Sequence, residues 1–233
     1  MSRLTIGIIA GAAAVLVVAA AGIAYLTQPH QAAPRFTISA SPAPASSASP
    51  GAMAGTWVVD AGSQAGYRVK ERFVDQPADT EAVARTSVVT GKLVMTGDSG
   101  LQLESATFSA DISQIHSTDA NATRGNAVRD RFVALNFLQT FIYPQATFVA
   151  RPLSIPAGQA PADLAVPGSF TVHGVTHDVT IPLKVSQNGD RLEVVGSFVI
   201  HYQDYRIDVP SVPFTTAAPD ATVEIHLFLK RSG

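Results

Sequence analysis

Apolar and polar residues alternate through most of the chain after Gly55, the period-two pattern of half-buried strands. The clearest run is Val175–Val185, with Val175, Val179, Ile181, Leu183 and Val185 on one face and Thr176, Asp178, Thr180 and Lys184 on the other. Similar runs cover Thr56–Val59, Gly66–Phe73, Thr86–Met95, Leu101–Ile112, Thr147–Pro152, Ser169–His173, Leu192–Tyr202 and Thr222–Lys230. Gly97-Asp98-Ser99-Gly100, His173-Gly174 and Asn188-Gly189 read as turns, the last being the strongest hairpin signal because both residues tolerate φ > 0. Val74–Arg85 reads as a polar loop, longer than a simple hairpin needs. Eight or so half-buried antiparallel strands predict an all-β closed barrel or sandwich.

The rhythm changes between Asn126 and Phe148. There Val128, Phe132 and Leu135 fall at i, i+4 and i+7, one face of a short helix. Such a helix is marginal alone in water and must dock, so that face is expected against one end of the barrel. Arg129-Asp130-Arg131 then reads either as a polar site for a ligand head group or as ion pairs locking the helix to the rim. Eleven Phe, five Tyr and one Trp favour a barrel with a lined cavity over a solidly packed sandwich.

The first 54 residues follow other patterns. Thr5–Leu26 carries no charge over 22 residues, enough at about 1.5 Å per residue to cross a roughly 30 Å hydrocarbon core. Arg3 precedes it and no acidic residue occurs before Asp60, which favours an N-terminus left in the cytoplasm (residues 1–4) and export of the rest. The run is longer than the roughly 7–15 residues of a signal h-region, favouring an uncleaved anchor over a signal peptide cut near Ala19-Ala20-Ala21. The expected location is therefore the cell membrane, single-pass, with the C-terminal part extracytoplasmic, or secreted if the segment is cleaved. Gly7 and Gly11 form a GxxxG pair that could join two such helices in a dimer. Thr27–Ala54, rich in Pro, Ala and Ser, reads as a disordered tether spanning roughly 30 Å. Residues 55–233 form the expected barrel domain.

Charge and chemistry remove several function classes. Two of the 16 Lys and Arg precede Gly55, leaving 14 in the domain against 18 Asp and Glu. With no basic stripe, nucleic acid and anionic lipid surfaces are not expected partners. No cysteine is present, so neither a disulfide framework, a thiol nucleophile nor a lipidated cysteine arises. No G-x-S-x-G elbow or phosphate-binding glycine loop occurs. Asp111, Asp119 and Asp130 form no pair that the sequence can define. His173 and His177 are four apart but flank a turn, so they read as strand-end histidines bonded to backbone rather than metal ligands. No catalytic residue, metal or cofactor is expected. A concave apolar interior remains, with Phe73, Phe108, Phe132, Phe137, Phe141, Phe148, Phe170 and Phe198 as candidate walls of a ligand site.

Several motifs in order point the same way. They are Trp57-Val58-Val59-Asp60, Arg129-Asp130 with Phe137-Leu138, Tyr143-Pro144 before Thr147-Phe148, Gly168–Thr176 (GSFTVHGVT), and Phe198–Ile207 (FVIHYQDYRI). Together they resemble the YceI-like polyisoprenoid-binding family over nearly all of Gly55–Lys230. The resemblance implies an extended eight-stranded lipocalin-like β-barrel with a short helix and an elongated apolar pore, in an exported protein. It also implies a long-chain lipid partner, such as an isoprenoid quinone or a polyprenol. Arg206 stands where the family usually has Gly, and Tyr202 where an Arg is common. Two other classes stay open: a packed barrel whose rim or Val74–Arg85 segment recruits a membrane redox protein, and an enzyme acting on a bound lipid.

Overall fold

The alternating runs pair into one antiparallel sheet that closes on itself. A computed structural model describes residues 32–39, 53–74, 79–97, 100–118, 123–155, 163–209, 211–213 and 215–232. The elements are β1 (Gly55–Val59), β2 (Gln64–Phe73), β3 (Thr80–Thr86), β4 (Val89–Thr96), β5 (Leu101–Asp111), β6 (His116–Ser117), α1 (Thr123–Asn136), β7 (Gln145–Ala150), β8 (Leu153–Ile155), β9 (Asp163–Val172), β10 (Val175–Asn188), β11 (Arg191–His201), β12 (Ser211–Val212) and β13 (Thr215–Arg231).

Eight strands form the ring, in the order β1-β4-β5-β7-β9-β10-β11-β13, and β13 pairs back to β1. Closure uses the 17-residue length of β13. One edge of β13 pairs with β11, while the other takes β2 along Thr215–His226 and β1 along Leu229–Arg231. Strands β2 and β3 thus continue the wall towards the end where α1 packs, here the helix end. The β10–β11 turn marks the far end.

Two details differ from the alternation read in sequence. Thr80–Thr86, which takes up the second half of the expected Val74–Arg85 loop and the residue after it, is the strand β3, paired residue by residue with β2 from Glu71↔Thr80 to Ala65↔Thr86. Its two alanines, Ala82 and Ala84, carry little β propensity, and pairing with β2 overrides that deficit. The second hairpin loop is Gly189-Asp190, because Asn188 pairs with Arg191. Gly189 has φ +59 and Asn188 stays in the strand, so glycine takes the first turn position and the turn moves one residue along.

The interior is apolar and forms two clusters. At the far end Met53, Trp57, Leu101, Leu192 and Leu229 are buried, and Trp57 Nε1 donates to the Met53 carbonyl at 2.9 Å. At the helix end Val69, Ile112, Phe170, Ile200, Tyr202, Tyr205 and Ile207 are buried. Met53 therefore belongs to the core, although it precedes the boundary expected at Gly55.

Residues 32–39 also depart from the expected tether, since they lie along the outer face of the barrel. The Ala33 carbonyl accepts from Arg68 Nη2 at 2.8 Å. Arg35 pairs with Glu81 at 3.2 Å, and Phe36 stacks on His226 with the Arg85 guanidinium 3.8 Å from its ring centre. Ser39 donates from its backbone N–H (2.9 Å) and its hydroxyl (2.8 Å) to Glu193. Beneath this strap Arg68 and Glu224 are each only 3% exposed although both point away from the lumen, with Nε and Oε1 3.0 Å apart. The strap carries no apolar period; ion pairs and backbone carbonyls hold it. Residues 5–26, and with them the expected transmembrane helix and GxxxG pair, lie outside the described residues. Among the described residues no helix is long and apolar enough to cross a membrane.

Candidate functional site

Strand parity aims alternate side chains into the lumen and leaves two chambers there. The larger, about 150 Å³, lies at the helix end, and a smaller one of about 80 Å³ lies at the far end. Their shared walls are Phe108, Phe148, Ile181, Ile225 and Leu227, which form a waist. Phe108 and Phe148 are register partners across β5 and β7, and Phe148 and Phe170 across β7 and β9.

Two glycines decide how those rings lie. A Cβ at Gly91 would sit 2.5 Å from the Phe108 ring, and one at Gly168 would sit 2.5 Å from the Phe148 ring. Both glycines share the inward parity of their strands, alongside Leu93 on β4 and Val166 on β9. The missing side chains leave each phenyl room over the neighbouring strand.

Of the eight candidate wall residues, Phe108, Phe137, Phe148, Phe170 and Phe198 line the chambers. Phe170 meets Phe198 edge-on, with ring centres 5.1 Å apart. Phe73, Phe132 and Phe141 do not line either chamber. Phe73 ends β2. Phe132 is 41% exposed and meets the Phe137 ring edge-on at 5.3 Å, and Phe141 is 94% exposed in the turn after α1.

The orientation of α1 explains part of that correction. Val128, Phe132 and Leu135, the expected docking face, are exposed, and Arg129, Val133 and Phe137 line the lumen instead. Hydrogen bonds select this face. Ser117 donates from both its backbone N–H (3.0 Å) and its hydroxyl to Asp130, while Arg129 Nε donates to Ser117 Oγ at 3.0 Å and Arg129 Nη1 pairs with Glu71 at 3.8 Å. These polar contacts turn the helix one residue away from its apolar stripe. Asp130 thus anchors the helix, whereas Arg129 and Glu71 bring charge to the edge of the larger chamber.

Several lining residues had no signal as site residues in the sequence. Tyr67, Ile181, Val223 and Ile225 read only as strand core, and Tyr202 only as a departure from a family pattern. Burial pushes the Tyr202 phenol well above its ordinary range, with nearby Tyr67 and Glu71 adding to the effect. It stays a neutral hydroxyl where an arginine would carry charge.

The remaining candidates have structural partners. His173 Nδ1 meets the Tyr205 carbonyl at 3.1 Å, and His177 Nε2 meets the Asp204 carbonyl at 2.9 Å. His177 is exposed, although it is the register partner of the lumen-lining Phe170, and its ring lies 5.0 Å from that of Tyr205. Asp111 caps the turn Ile112–Gln114 through the Ser113 N–H. Asp119 lies outside the described residues. Among the described residues no three His, Asp or Glu side chains come together as a metal site requires.

Comparison with known proteins agrees with this architecture. The model of the YceI-like domain matches residues 57–229. A polyisoprenoid-binding domain from Saccharophagus degradans, implicated in plant cell wall breakdown, superposes with a TM-score of 0.54 at 18% identity, over 76% of this chain and 98% of its own. BcnA of Burkholderia cenocepacia gives 0.51 at 19% identity, over 70% of this chain and 95% of its own. At such identities the two likenesses establish the fold. No curated protein sequence matches the chain.

Proposed function

Because this chain belongs to the YceI-like domain family, we propose that its barrel takes up the hydrocarbon chain of a long amphiphile and holds or carries it outside the cytoplasm. The observation that carries this reading is the apolar lumen, whose larger chamber ends at Glu71 and Arg129. A hydrocarbon chain entering it gains about 25 cal/mol per Å² of apolar surface buried, less the entropy of fixing the chain. The paired charges at its edge suit a polar head group. The Saccharophagus domain, described as polyisoprenoid-binding, supports an isoprenoid quinone or polyprenol as the ligand class.

The lumen sets a condition on such a ligand. A 150 Å³ apolar cavity is about the size that holds one benzene. A longer chain must therefore pass the waist, and the Phe108 and Phe148 rings must part for it. The protein acts as a binder rather than a catalyst in this reading, since the walls offer hydrocarbon and the two charges at the edge face each other. The uncharged stretch Thr5–Leu26 supports an uncleaved membrane anchor with the barrel on the extracytoplasmic side.

The test uses residues 32–233, which keep the strap. Native mass spectrometry and organic extraction of the purified protein should reveal a co-purifying amphiphile, or stoichiometric uptake of an added polyprenol or isoprenoid quinone. Neither retention nor uptake would overturn the proposal.

A further inference from the structure

Six large apolar side chains stand exposed at the helix end: Val74 (80%), Val128 (72%), Phe132 (41%), Leu135 (58%), Phe141 (94%) and Ile142 (61%). Val74 follows β2, whose Glu71 meets α1, and the other five belong to α1 or the turn after it. Monomeric proteins rarely gather exposed apolar side chains at one place without a use for them. The Phe141-Ile142 turn is held firmly: the Ile142 and Tyr143 N–H groups donate to the Gln139 carbonyl at 2.8 and 2.9 Å, and Tyr143 packs on His173 at 4.7 Å between ring centres. Its apolar side chains are thus presented outward by a built turn.

The strap indicates what covers them. Ala33 is fixed beside Arg68 and Glu224, Phe36 beside His226, and Ser39 beside Glu193, whose strand partner is Phe228. Along β13 these contacts step from Glu224 towards the far end, so the strap, followed from Ser39 back to Ala32, runs in the direction of the helix end. Only residues 27–31 separate Ala32 from the uncharged stretch Thr5–Leu26. Six peptide links extend at most about 20 Å. The wall from Arg68 to the last residue of β2, Phe73, accounts for roughly 17 Å of that reach.

We propose that the helix-end patch, led by Phe141 and Ile142, seats in the surface of the lipid bilayer that holds the N-terminal stretch. The larger chamber then faces the membrane directly, in place of a barrel floating about 30 Å away on a free tether. This docking rests on reading Thr5–Leu26 as an uncleaved anchor. Arg72 is already paired to Asp79, and the exposed Arg131, one turn from Val128 and Leu135 on α1, adds a single basic side chain beside the patch, so the contact is mainly apolar.

The absence of cysteine permits a direct test on the full chain. Ile142→Cys at the patch and Asp190→Cys at the far-end turn each receive a bimane label, and the chain is reconstituted in phosphatidylcholine vesicles. Quenching by lipid-borne nitroxide should be several-fold stronger at position 142 than at 190, with the opposite order for aqueous iodide. Adding Phe141→Ser, at a position already in solvent, should restore iodide access at 142. Equal iodide access at both positions would overturn the proposal. So would shielding of 142 from iodide without nitroxide quenching, which would put a second copy on the patch. A chain that fails to float with vesicles removes the anchor and this docking with it, while leaving ligand uptake by residues 32–233 untouched.

Discussion

Arg206 shows how a single position can be at odds with its backbone. It follows the turn Tyr202–Tyr205 with φ +55, in the left-handed region, and its N–H bonds back to the Gln203 and Tyr202 carbonyls. A residue with a Cβ loses about 1–2 kcal/mol there, and glycine would recover that less roughly 0.5–1 kcal/mol of its own extra chain entropy. Arg206→Gly should therefore raise unfolding free energy by about 0.5–1 kcal/mol, read from a denaturant midpoint at unchanged slope. A loss of stability would mean that the arginine side chain contributes more than the strain costs. Gly168 presents the reverse case, where the missing side chain makes room for the Phe148 ring rather than permitting a backbone angle.

Among the elements, the strap is the one whose attachment depends on titratable groups. Burial pushes the Glu193 carboxyl up, but hydrogen bonds from the Ser39 N–H, His226 and the Ser39 hydroxyl outweigh it and hold the group below its usual 4.5. A carboxylate stabilised in the folded state binds its proton later than in the free chain. Its contribution is therefore complete above pH 4.5 and is lost as pH falls through the lowered value. Exchange of the Ser39 amide should be slow at pH 7 and accelerate below about pH 4.5, relative to the intrinsic rate, before the β11 and β13 amides respond. Simultaneous loss of protection in all three would show that the strap has no separate release.

For the whole molecule, the folding unit is larger than the alternating pattern suggests. Arg68 and Glu224 are buried on the outside of a barrel only because residues 32–39 cover them. Removing residues 1–31 should leave stability unchanged. Removing residues 1–39 exposes that cluster to water, gives up the Phe36 contacts and should lower the melting temperature by several degrees, as about 1–2 kcal/mol does in a domain of this size. Equal melting temperatures for the two truncations would make the strap an energetically neutral wrapping.

The sequence alone determined that this is an all-β chain, where most strands run, and that its interior is aromatic. Period-two patterning is local and survives without knowledge of partners, which is why Val175–Val185 is legible residue by residue. Tertiary structure decided what pairing and polar contacts control. It made a strand of Thr80–Thr86, turned α1 so that Arg129 rather than Phe132 faces the lumen, and laid residues 32–39 on the barrel. Five of the eight candidate phenylalanines reached the lumen because strand parity or the turned helix aimed them there. Phe132 and Phe141 did not, since a hydrophobic stripe states only that a side chain seeks cover. Which surface supplies that cover depends on Ser117, Asp130 and Glu71, brought beside the helix only by the closed sheet.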